Sequence, residues 1–272
     1  MTKPREIGTI EAGPGPRYSV CTLVTNPDEY REMLASFEQA GFATANCEFL
    51  YADNSQGNRY DGYAAINRFL RVARGDYIVL CHQDIRLHDD RIEALDRVLA
   101  ELSERDPHWA AAGNAGGVRP GRLAIRITDP HGENTRVGPF PARVASLDEN
   151  FIVVRREAGL SVSHDLRGFH FYGTDLCLIA EVLGLRCYAI DFHLWHIGGG
   201  SQPGKSSNAN FRSDYPAARK RLLDKYRRAF AARWLQNTGG TLFFSGSSLL
   251  NALGNRKLVL SLVRRFQRRK RD

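Results

Sequence analysis

The stretch 75–84, Gly-Asp-Tyr-Ile-Val-Leu-Cys-His-Gln-Asp, constrains the fold of this chain more than any other. β-Branched and aromatic residues after a glycine turn predict a buried strand, and this strand ends at metal-capable side chains. In open α/β sheets, ligands bind at the carboxyl ends of the strands. We therefore expect Asp84 to lie where a functional site forms.

A second strand of the same kind lies upstream. Residues 47–53 predict a strand that ends at Asp53, and the loop 54–58 after it is rich in turn-forming residues. Because ligands collect at the carboxyl edge of such sheets, we expect Asp53 and Asp84 to face one shared cleft.

Strand and helix patterns alternate along the amino-terminal half of the chain. Asn26 is a suitable N-cap for a first helix, with Pro27 in its first turn, where a missing N–H costs nothing. The alternation predicts an α/β fold with a mostly parallel central sheet flanked by helices. Strands are predicted at 18–25, 49–52 and 77–81, and helices at 28–40, 63–73 and 89–104.

The region after Trp109 has a different character, beginning with a predicted small-residue strand at 110–117. Gly and Pro punctuate residues 119–143, which predicts an irregular excursion with one short strand at 123–128, and loops of this kind often determine specificity. The strand pattern at 144–156 is then interrupted by Asp148 and Glu149. The two acids therefore lie in a break between two strand segments.

Two more polar positions lie at element ends. Asp175 opens an apolar helix, whose amino terminus favours an ionised carboxylate by roughly 0.3–1 kcal/mol at exposed sites. His196 follows a strand pattern at 186–194 and precedes the glycines 198–200, whose backbone amides could approach a diphosphate. Both residues also have a purely structural interpretation, in which Asp175 caps the helix and His196 supports the fold.

In this order, the motifs resemble family 2 glycosyltransferases of the GT-A fold, over roughly residues 18–201. The similarity is greatest to the subset with Cys-His-Gln-Asp, here residues 81–84, in place of the Asp-x-Asp motif. The stretch 170–178 resembles the His-x-Tyr-Gly-Thr-Asp-Leu-Cys-Leu element of the same enzymes. The resemblance implies transfer of a sugar from a nucleotide-diphosphate sugar to an acceptor hydroxyl, with inversion at the anomeric carbon.

The resemblance also implies residue roles. Asp175 is the expected catalytic base, and Asp84 with His196 is expected to hold a divalent Mn²⁺ or Mg²⁺. His82 stands where Asp-x-Asp has its first carboxylate, which makes it a candidate spectator held by the loop. For Asp148 and Glu149, a solvated turn between strands is the alternative. The donor is expected to contact Thr25, Asn26, Asp53, Asn54, Ser55, Gln83 and Asp84, and the acceptor Asp148, Glu149, His170 and Trp195.

Charge is unevenly distributed over the 272 residues. Residues 211–272 carry 16 Lys+Arg against 3 Asp, whereas the remaining residues carry 22 basic and 27 acidic side chains. We therefore divide the chain into an N-terminal segment 1–17, a GT-A glycosyltransferase domain 18–210 and a basic helical C-terminal extension 211–272. Leucine-rich and arginine-rich runs alternate at 249–271, which is typical of a basic amphipathic helix on an anionic membrane surface. Packing of its apolar face on the domain is the alternative.

Partners and location follow from the same features. Residues 1–6 lack the apolar core of a signal peptide, and no apolar run reaches the about 20 residues of a membrane span. We expect a cytoplasmic protein, peripheral at most on the inner face of the membrane, with a nucleotide-sugar donor and a glycan or lipid-linked acceptor. The five scattered cysteines are expected to be reduced core residues.

Two other functions stay open. A nucleotidyltransferase shares the sheet and the metal chemistry, but Thr25-Asn26-Pro27 does not supply the glycine-rich phosphate loop expected after a first strand. A non-catalytic basic protein that binds nucleic acid or membrane would suit the net charge of +8. That charge lies in the tail and not across an aromatic-studded face, so nucleic acid is not expected as a partner.

Overall fold

A computed structural model describes residues 15–43, 45–198 and 208–269 of the chain. The predicted loop glycines 199–200 and most of the N-terminal segment 1–17 lie outside these ranges. The strands are β1 (Tyr18–Val24), β2 (Cys47–Asp53), β3 (Tyr77–Cys81), β4 (Ile85–Arg86), β5 (Trp109–Gly113), β6 (Ala115–Arg119), β7 (Arg122–Asp129), β8 (Gly132–Val137), β9 (Ala142–Val144), β10 (Ser146–Leu147), β11 (Phe151–Arg155), β12 (Arg186–Ala189), β13 (Trp195–His196), β14 (Arg233–Asn237) and β15 (Gly240–Phe244). The helices are α1 (Pro27–Gln39), α2 (Gly62–Val72), α3 (Ile92–Arg105), α4 (Tyr172–Val182), α5 (Asn208–Tyr226), α6 (Ser248–Gly254) and α7 (Lys257–Arg269).

The central sheet has the strand order β2–β1–β3–β11–β5–β12–β9. β1 pairs in parallel with β2 and β3, and β12 with β5, whereas β11 is antiparallel to both of its neighbours. β9 is antiparallel to β12. Strands β1, β2, β3, β5 and β12 therefore run the same way and end at one edge. This confirms the predicted α/β fold with a mostly parallel sheet flanked by helices.

An apolar layer covers each face of this sheet. Phe37 of α1 lies in one layer, and Leu176 of α4 lies in the other. Successive side chains of a strand point to opposite faces, so in β11 Val153 joins the first layer and Ile152 the second. A strand covered on both faces must be apolar throughout, which explains the continuous apolar run after Asn150.

The start of α1 matches its prediction. The Asn26 side chain accepts hydrogen bonds from the backbone N–H groups of Asp28 (3.0 Å) and Glu29 (3.4 Å), and Pro27 lies in the first turn. These bonds satisfy two amides that have no partner inside the helix. The junction between β1 and α1 is thereby fixed at the carboxyl edge of the sheet.

A second sheet has the order β10–β6–β7–β13–β4, with β8 paired to β7. The excursion at 119–143 is more regular than predicted, because β7 and β8 form an antiparallel hairpin. The strand predicted at 186–194 is shorter, since β12 ends at Ala189 and β13 then pairs with β4 and β7. The short β13 belongs to the site described below.

The C-terminal extension differs from the predicted basic helical appendage. An antiparallel hairpin, β14–β15, separates α5 from α6 and α7. Leu222 of α5, Leu235 of β14 and Phe244 of β15 are fully buried in the same apolar cluster as Leu176 of α4. The prediction rested on charge, whereas apolar residues spaced between those charges place this segment in the core.

The cysteines are all buried and unpaired, which confirms that they are core residues. Burial raises the pKa of the Cys47 thiol to about 12, so this thiol stays protonated near neutral pH. Among the helices in the described ranges, none has both the length and the apolar character needed to span a membrane.

Candidate metal centre

The carboxyl edge of the central sheet brings polar side chains together. His82 directly follows β3, and β13 pairs antiparallel with β4 so that His196 lies opposite Ile85. The Ile197 N–H donates to the Asp84 carbonyl oxygen at 3.0 Å. This short ladder places His196 beside Asp84, although the two are far apart in the sequence.

His82, Asp84 and His196 form a candidate metal centre. One ligand atom of each lies within 4.8 Å of the other two, and His196 Nε2 is 3.3 Å from Asp84 Oδ2. Two imidazole nitrogens and one carboxylate oxygen suit a divalent metal such as Mn²⁺, and three protein ligands leave positions for phosphate oxygens or water. The structure brings together both predicted ligands and adds His82, which was expected to be a spectator.

Burial and the contacts among these three side chains shift their pKa values. Burial would raise the pKa of Asp84, but the hydrogen bond from His196 and the positive charge of that ring hold it well below its usual range. Burial lowers the pKa of His82, which keeps that ring neutral. Burial opposes protonation of His196 as well, yet the hydrogen bond to Asp84 raises its pKa. An ionised carboxylate beside a neutral imidazole is the form in which these groups bind a metal.

Tyr172 determines which nitrogen of His82 is available to a metal. The Tyr172 hydroxyl donates to the Glu149 carbonyl oxygen at 2.9 Å, and His82 Nε2 lies 3.0 Å from the same hydroxyl. Because a hydroxyl has one proton, His82 must donate from Nε2. Its Nδ1 then carries the lone pair that a metal needs, with Tyr172 orienting the ring.

Gln83 binds the β1–α1 junction. Its Oε1 accepts from the N–H groups of Thr25 (2.7 Å) and Asn26 (3.0 Å), and its Nε2 donates to Thr25 Oγ1 (3.0 Å) and Glu29 Oε2 (2.9 Å). The predicted donor contacts Thr25, Asn26 and Gln83 are thus brought together. Their polar atoms bond one another, which gives them a structural task between two loops of the site.

Arg86 is a site residue that the sequence analysis missed. The buried guanidinium donates from Nη1 to the carbonyl oxygens of Gln83 (3.1 Å) and Ile85 (2.9 Å), and from Nη2 to Glu32 Oε2 at 2.6 Å. These bonds hold the two carbonyls on either side of Asp84. An arginine two positions after the aspartate, in an otherwise apolar pattern, was the available signal.

The predicted donor contacts at the end of β2 and in the loop after it differ in their exposure. Asp53 is exposed, and hydrogen bonds from the Ser55 hydroxyl (2.6 Å) and N–H (2.9 Å) lower its pKa. Asn54 is buried, accepts from the Tyr60 N–H (2.8 Å) and donates to the Tyr60 carbonyl (2.9 Å). Asp53 is therefore accessible to a ligand, whereas Asn54 closes the loop and is not.

Asp148 and Glu149 lie half-buried at the same edge of the sheet. Asp148 Oδ1 accepts from the Asn150 N–H at 3.1 Å, and Glu149 Oε1 lies 3.4 Å from the Gly173 N–H at the start of α4. Burial, reinforced by the Asp148 charge, raises the pKa of Glu149 to about 8. The pair is a compact acidic turn beside the metal centre, and its Asp148 charge acts on both His82 and His196.

Asp175 lies in the core, with an exposed fraction of 0%. Its Oδ2 accepts from the Ser163 N–H at 2.6 Å, and its Oδ1 accepts from the hydroxyls of Ser163 (2.7 Å) and Tyr226 (2.6 Å). Burial raises the pKa of Asp175, although these hydrogen bonds oppose the rise. Because neither oxygen is exposed, the geometry does not support the base role that the family resemblance implies.

The two remaining predicted acceptor contacts lie in different surroundings. His170 is buried, with its ring edge-on to Tyr215 at 5.2 Å, and its backbone carbonyl accepts from the Tyr63 hydroxyl. Trp195 is half-buried, and its Nε1 donates to Asp89 Oδ2 at 2.9 Å. Trp195 is thus near the metal centre through its neighbour His196, whereas His170 lies just before the amino end of α4, against Tyr215 of α5.

The fold and the site define a mixed α/β protein with a candidate His/Asp metal centre at the carboxyl edge of its sheet. No protein-family model matches the sequence. The chain is 40% identical over 235 residues to "ATP synthase subunits region ORF 6" of Fuscovulum blasticum, and the match covers 84% of this chain and 91% of that protein. The chain belongs to the same family as that protein.

Solved structures show weaker similarities. Mannosyltransferase PcManGT of Pyrobaculum calidifontis, solved with GDP-Man and Mn²⁺, has a TM-score of 0.47 at 14% identity over 79% of this chain. TarS of S. aureus has a TM-score of 0.46 at 12% identity over 76% of this chain, and A197 of STIV one of 0.41 at 12% identity over 66%. This chain spans 63%, 40% and 85% of those three chains, respectively. Similarities this weak do not identify a substrate for this chain.

Proposed function

We propose that the chain is a metal-dependent glycosyltransferase that moves a sugar from a nucleotide-diphosphate sugar to an acceptor hydroxyl. The observation that carries this proposal is the group His82, Asp84 and His196, at the carboxyl edge of a mostly parallel sheet. The exposed Asp53 ends β2 at the same edge, where it would accept hydrogen bonds from nucleotide hydroxyls. The motif resemblance over residues 18–201 supports the same reaction.

The side chains divide the chemistry among them. His82, Asp84 and His196 would hold a divalent ion, which would neutralise the diphosphate leaving group. Arg86 and Gln83 keep the loop that carries Asp84 in place, by the hydrogen bonds described above. The acidic turn at Asp148 and Glu149 would face the acceptor hydroxyl, so that attack opposite the leaving group inverts the anomeric carbon.

A turnover assay tests this proposal. The protein is incubated with UDP-, GDP-, dTDP- and CMP-linked sugars, each with Mn²⁺ or Mg²⁺, and free nucleotide is measured with water or added glycans as acceptors. We expect release from one donor class, and at least a hundredfold less from Asp84→Ala. Asp28→Ala is the matched control, because Asp28 is an exposed carboxylate that pairs with the neighbouring Arg31. Release that is equal in Asp84→Ala and the wild type would contradict the metal-centre proposal.

We also propose that α6 and α7 dock on an anionic membrane surface, where a lipid-linked acceptor would be found. Leu249 and Leu250 of α6 are 69% and 49% exposed, and Leu258 and Leu262 of α7 are 73% and 56% exposed. Basic side chains flank these leucines, including the exposed Arg256, Lys257 and Arg265. Apolar side chains bordered by cations fit a bilayer with acidic headgroups, at about 1 kcal/mol for each basic residue near the surface.

Vesicle sedimentation tests the membrane proposal. We expect the wild type to bind vesicles that contain phosphatidylglycerol, to release them as salt rises, and to ignore phosphatidylcholine alone. Leu258→Ser with Leu262→Ser should weaken binding at least fivefold, whereas Val182→Ser, which changes an exposed residue of α4, should not. A concentration-dependent dimer without vesicle binding would show that these leucines serve a second copy of the chain instead.

A further inference from the structure

The inference here rests on the proposed function and concerns the group that takes the acceptor's proton. Asp175 is not available for this task, since its oxygens are buried and accept three hydrogen bonds from Ser163 and Tyr226. A base must reach the hydroxyl directly or through one water. The acidic residues of the site edge are therefore the candidates.

Glu149 has the position that Asp175 lacks. It is half-buried in the turn before β11, at the edge where β3 ends, since the His82 N–H donates to the Asn150 carbonyl at 3.0 Å. Its Oε1 lies 3.4 Å from the Gly173 N–H. The N-cap residue of α4, Phe171, has no side-chain hydrogen bond to the helix, so the Glu149 carboxylate serves the amino end of α4.

Tyr172 fixes Glu149 relative to the metal centre. Its hydroxyl contacts both the Glu149 carbonyl oxygen (2.9 Å) and His82 Nε2 (3.0 Å). One phenol thus connects the backbone of the acidic turn to a metal ligand. The backbone of Glu149 is therefore held at a fixed place beside the metal centre, and the Gly173 N–H donates a hydrogen bond to its carboxylate.

The surroundings of Glu149 suit proton transfer. Asp148 is the charged group beside it, and the phenols of Tyr63, Tyr172 and Tyr215 lie close enough to feel its charge. Burial and the Asp148 charge raise the pKa of Glu149 to about 8, whereas the amides of α4 oppose the rise. A carboxylate whose pKa lies near the operating pH is a stronger base than an ordinary one.

We propose that Glu149 is the general base of the transfer. The acceptor oxygen bonds to the anomeric carbon while the bond from that carbon to the diphosphate oxygen breaks. The electron pair of the broken bond leaves with the diphosphate, and the hydroxyl proton goes to the Glu149 carboxylate. Asp148 shapes the charge around this base and does not itself take the proton.

Glu149→Gln separates the base from the helix cap. The glutamine oxygen still accepts from the Gly173 N–H, but an amide cannot take a proton at neutral pH. We expect at least a hundredfold lower kcat, with the Kd for nucleotide and Mn²⁺ within threefold of the wild type. A kcat within threefold of the wild type would overturn the assignment.

The pH dependence of kcat/KM distinguishes a catalytic base from a residue that only supports the structure. In the wild type, kcat/KM should rise with pH through about 8, since the base must be ionised. Asp148→Asn should move this limb to lower pH, because loss of the neighbouring negative charge eases ionisation of Glu149. A limb that stays in place in Asp148→Asn, or persists in Glu149→Gln, would contradict the proposal.

The outcomes distinguish this inference from the proposed function. A wild-type protein that turns over no donor and binds no nucleotide overturns both. A wild-type protein that is active, alongside an equally active Glu149→Gln, overturns the base assignment alone. If circular dichroism shows that Glu149→Gln is unfolded, Glu149→Asp is the deciding variant. It keeps the carboxylate but shortens the side chain by one methylene. We expect at least tenfold lower kcat for it, and an unchanged kcat would refute the base role.

Discussion

Two carboxylates near the start of α4 have opposite surroundings. Glu149 is half-buried at the site edge and has a pKa raised to about 8. Asp175 is fully buried and bonds Ser163 and the C-terminal Tyr226. These surroundings fit the proposed proton transfer to Glu149, whereas the Tyr226 hydroxyl bonds Asp175 to α5.

Asp175→Asn should lower the free energy of unfolding by about 1–3 kcal/mol. An asparagine offers one oxygen, so its NH₂ group would face one of the donors that now bond the carboxylate. Urea unfolding followed by circular dichroism measures the change. Asp165→Asn is the control, because Asp165 is an exposed partner of Lys225. Below the unfolding transition, turnover should stay within tenfold of the wild type, and a hundredfold loss would restore Asp175 as the base.

Single residues were predictable where their partners are close in sequence. Asn26 was recognised as a cap because Asp28 and Glu29, which donate to it, are its neighbours. The position of Asp84 just after a strand was predictable because the strand pattern ends before it, and β3 ends at Cys81. The burial of Asp175 could not be foreseen, since Tyr226 approaches from 51 residues away.

At the scale of elements, the β14–β15 hairpin is attached to the second sheet through a close backbone contact. A Cβ atom on Gly117 of β6 would lie 1.7 Å from the Gln236 carbonyl oxygen. The Ser146 hydroxyl donates to that same oxygen at 2.7 Å, and the Gly121 N–H donates to Gln236 Oε1 at 3.0 Å. The hairpin therefore has a fixed place on β6 and β10.

Gly117→Ala should force the hairpin away from β6 and destabilise the fold by about 1–3 kcal/mol or more. The measurement is the urea midpoint, with hydrogen exchange of the β14 and β15 amides to locate the change. Gly246→Ala is the matched control in the same segment, because the nearest atom to its new Cβ would be 3.9 Å away. Equal midpoints for the two variants would show that the hairpin does not depend on this contact.

Elements with local signals were predicted well, and elements with long-range signals were not. The helices α1, α2 and α3 lie within a few residues of their predicted bounds, because apolar periodicity and capping residues mark them. The hairpin β14–β15 was missed, since the positive charge of the extension dominated its interpretation. The pairing of β13 with β4, which brings His196 to Asp84, has no signal in either strand alone.

At the scale of the whole molecule, α5 and the β14–β15 hairpin of the C-terminal extension are part of the folded core. Ala218, Leu222 and Tyr226 of α5 are 5%, 0% and 5% exposed, and they belong to the cluster that includes α2 and α4. Lys220 and Arg221 of the same helix are exposed, outside this apolar face. The boundary drawn at residue 210 from charge thus falls within α5, whose apolar face packs in the core.

A chain truncated after residue 210 should therefore fail to fold cooperatively. Removing the extension exposes the apolar face around Leu176 and leaves Asp175 without the Tyr226 hydroxyl. Thermal unfolding by circular dichroism is the measurement, with a chain truncated after residue 269 as the control. A sharp transition at the full-length temperature would show that 211–272 is an independent unit.

The most direct test of the metal and nucleotide site is thermal stabilisation by UDP, GDP, dTDP and CMP, each with and without Mn²⁺. A ligand that binds only the folded state raises its stability by about 2.7 kcal/mol at a hundred times its Kd. We expect one nucleotide diphosphate to raise Tm only when Mn²⁺ is present, in the wild type and in Asp28→Ala but not in Asp84→Ala. No shift with any nucleotide, or an equal shift in Asp84→Ala, would contradict a site built on His82, Asp84 and His196.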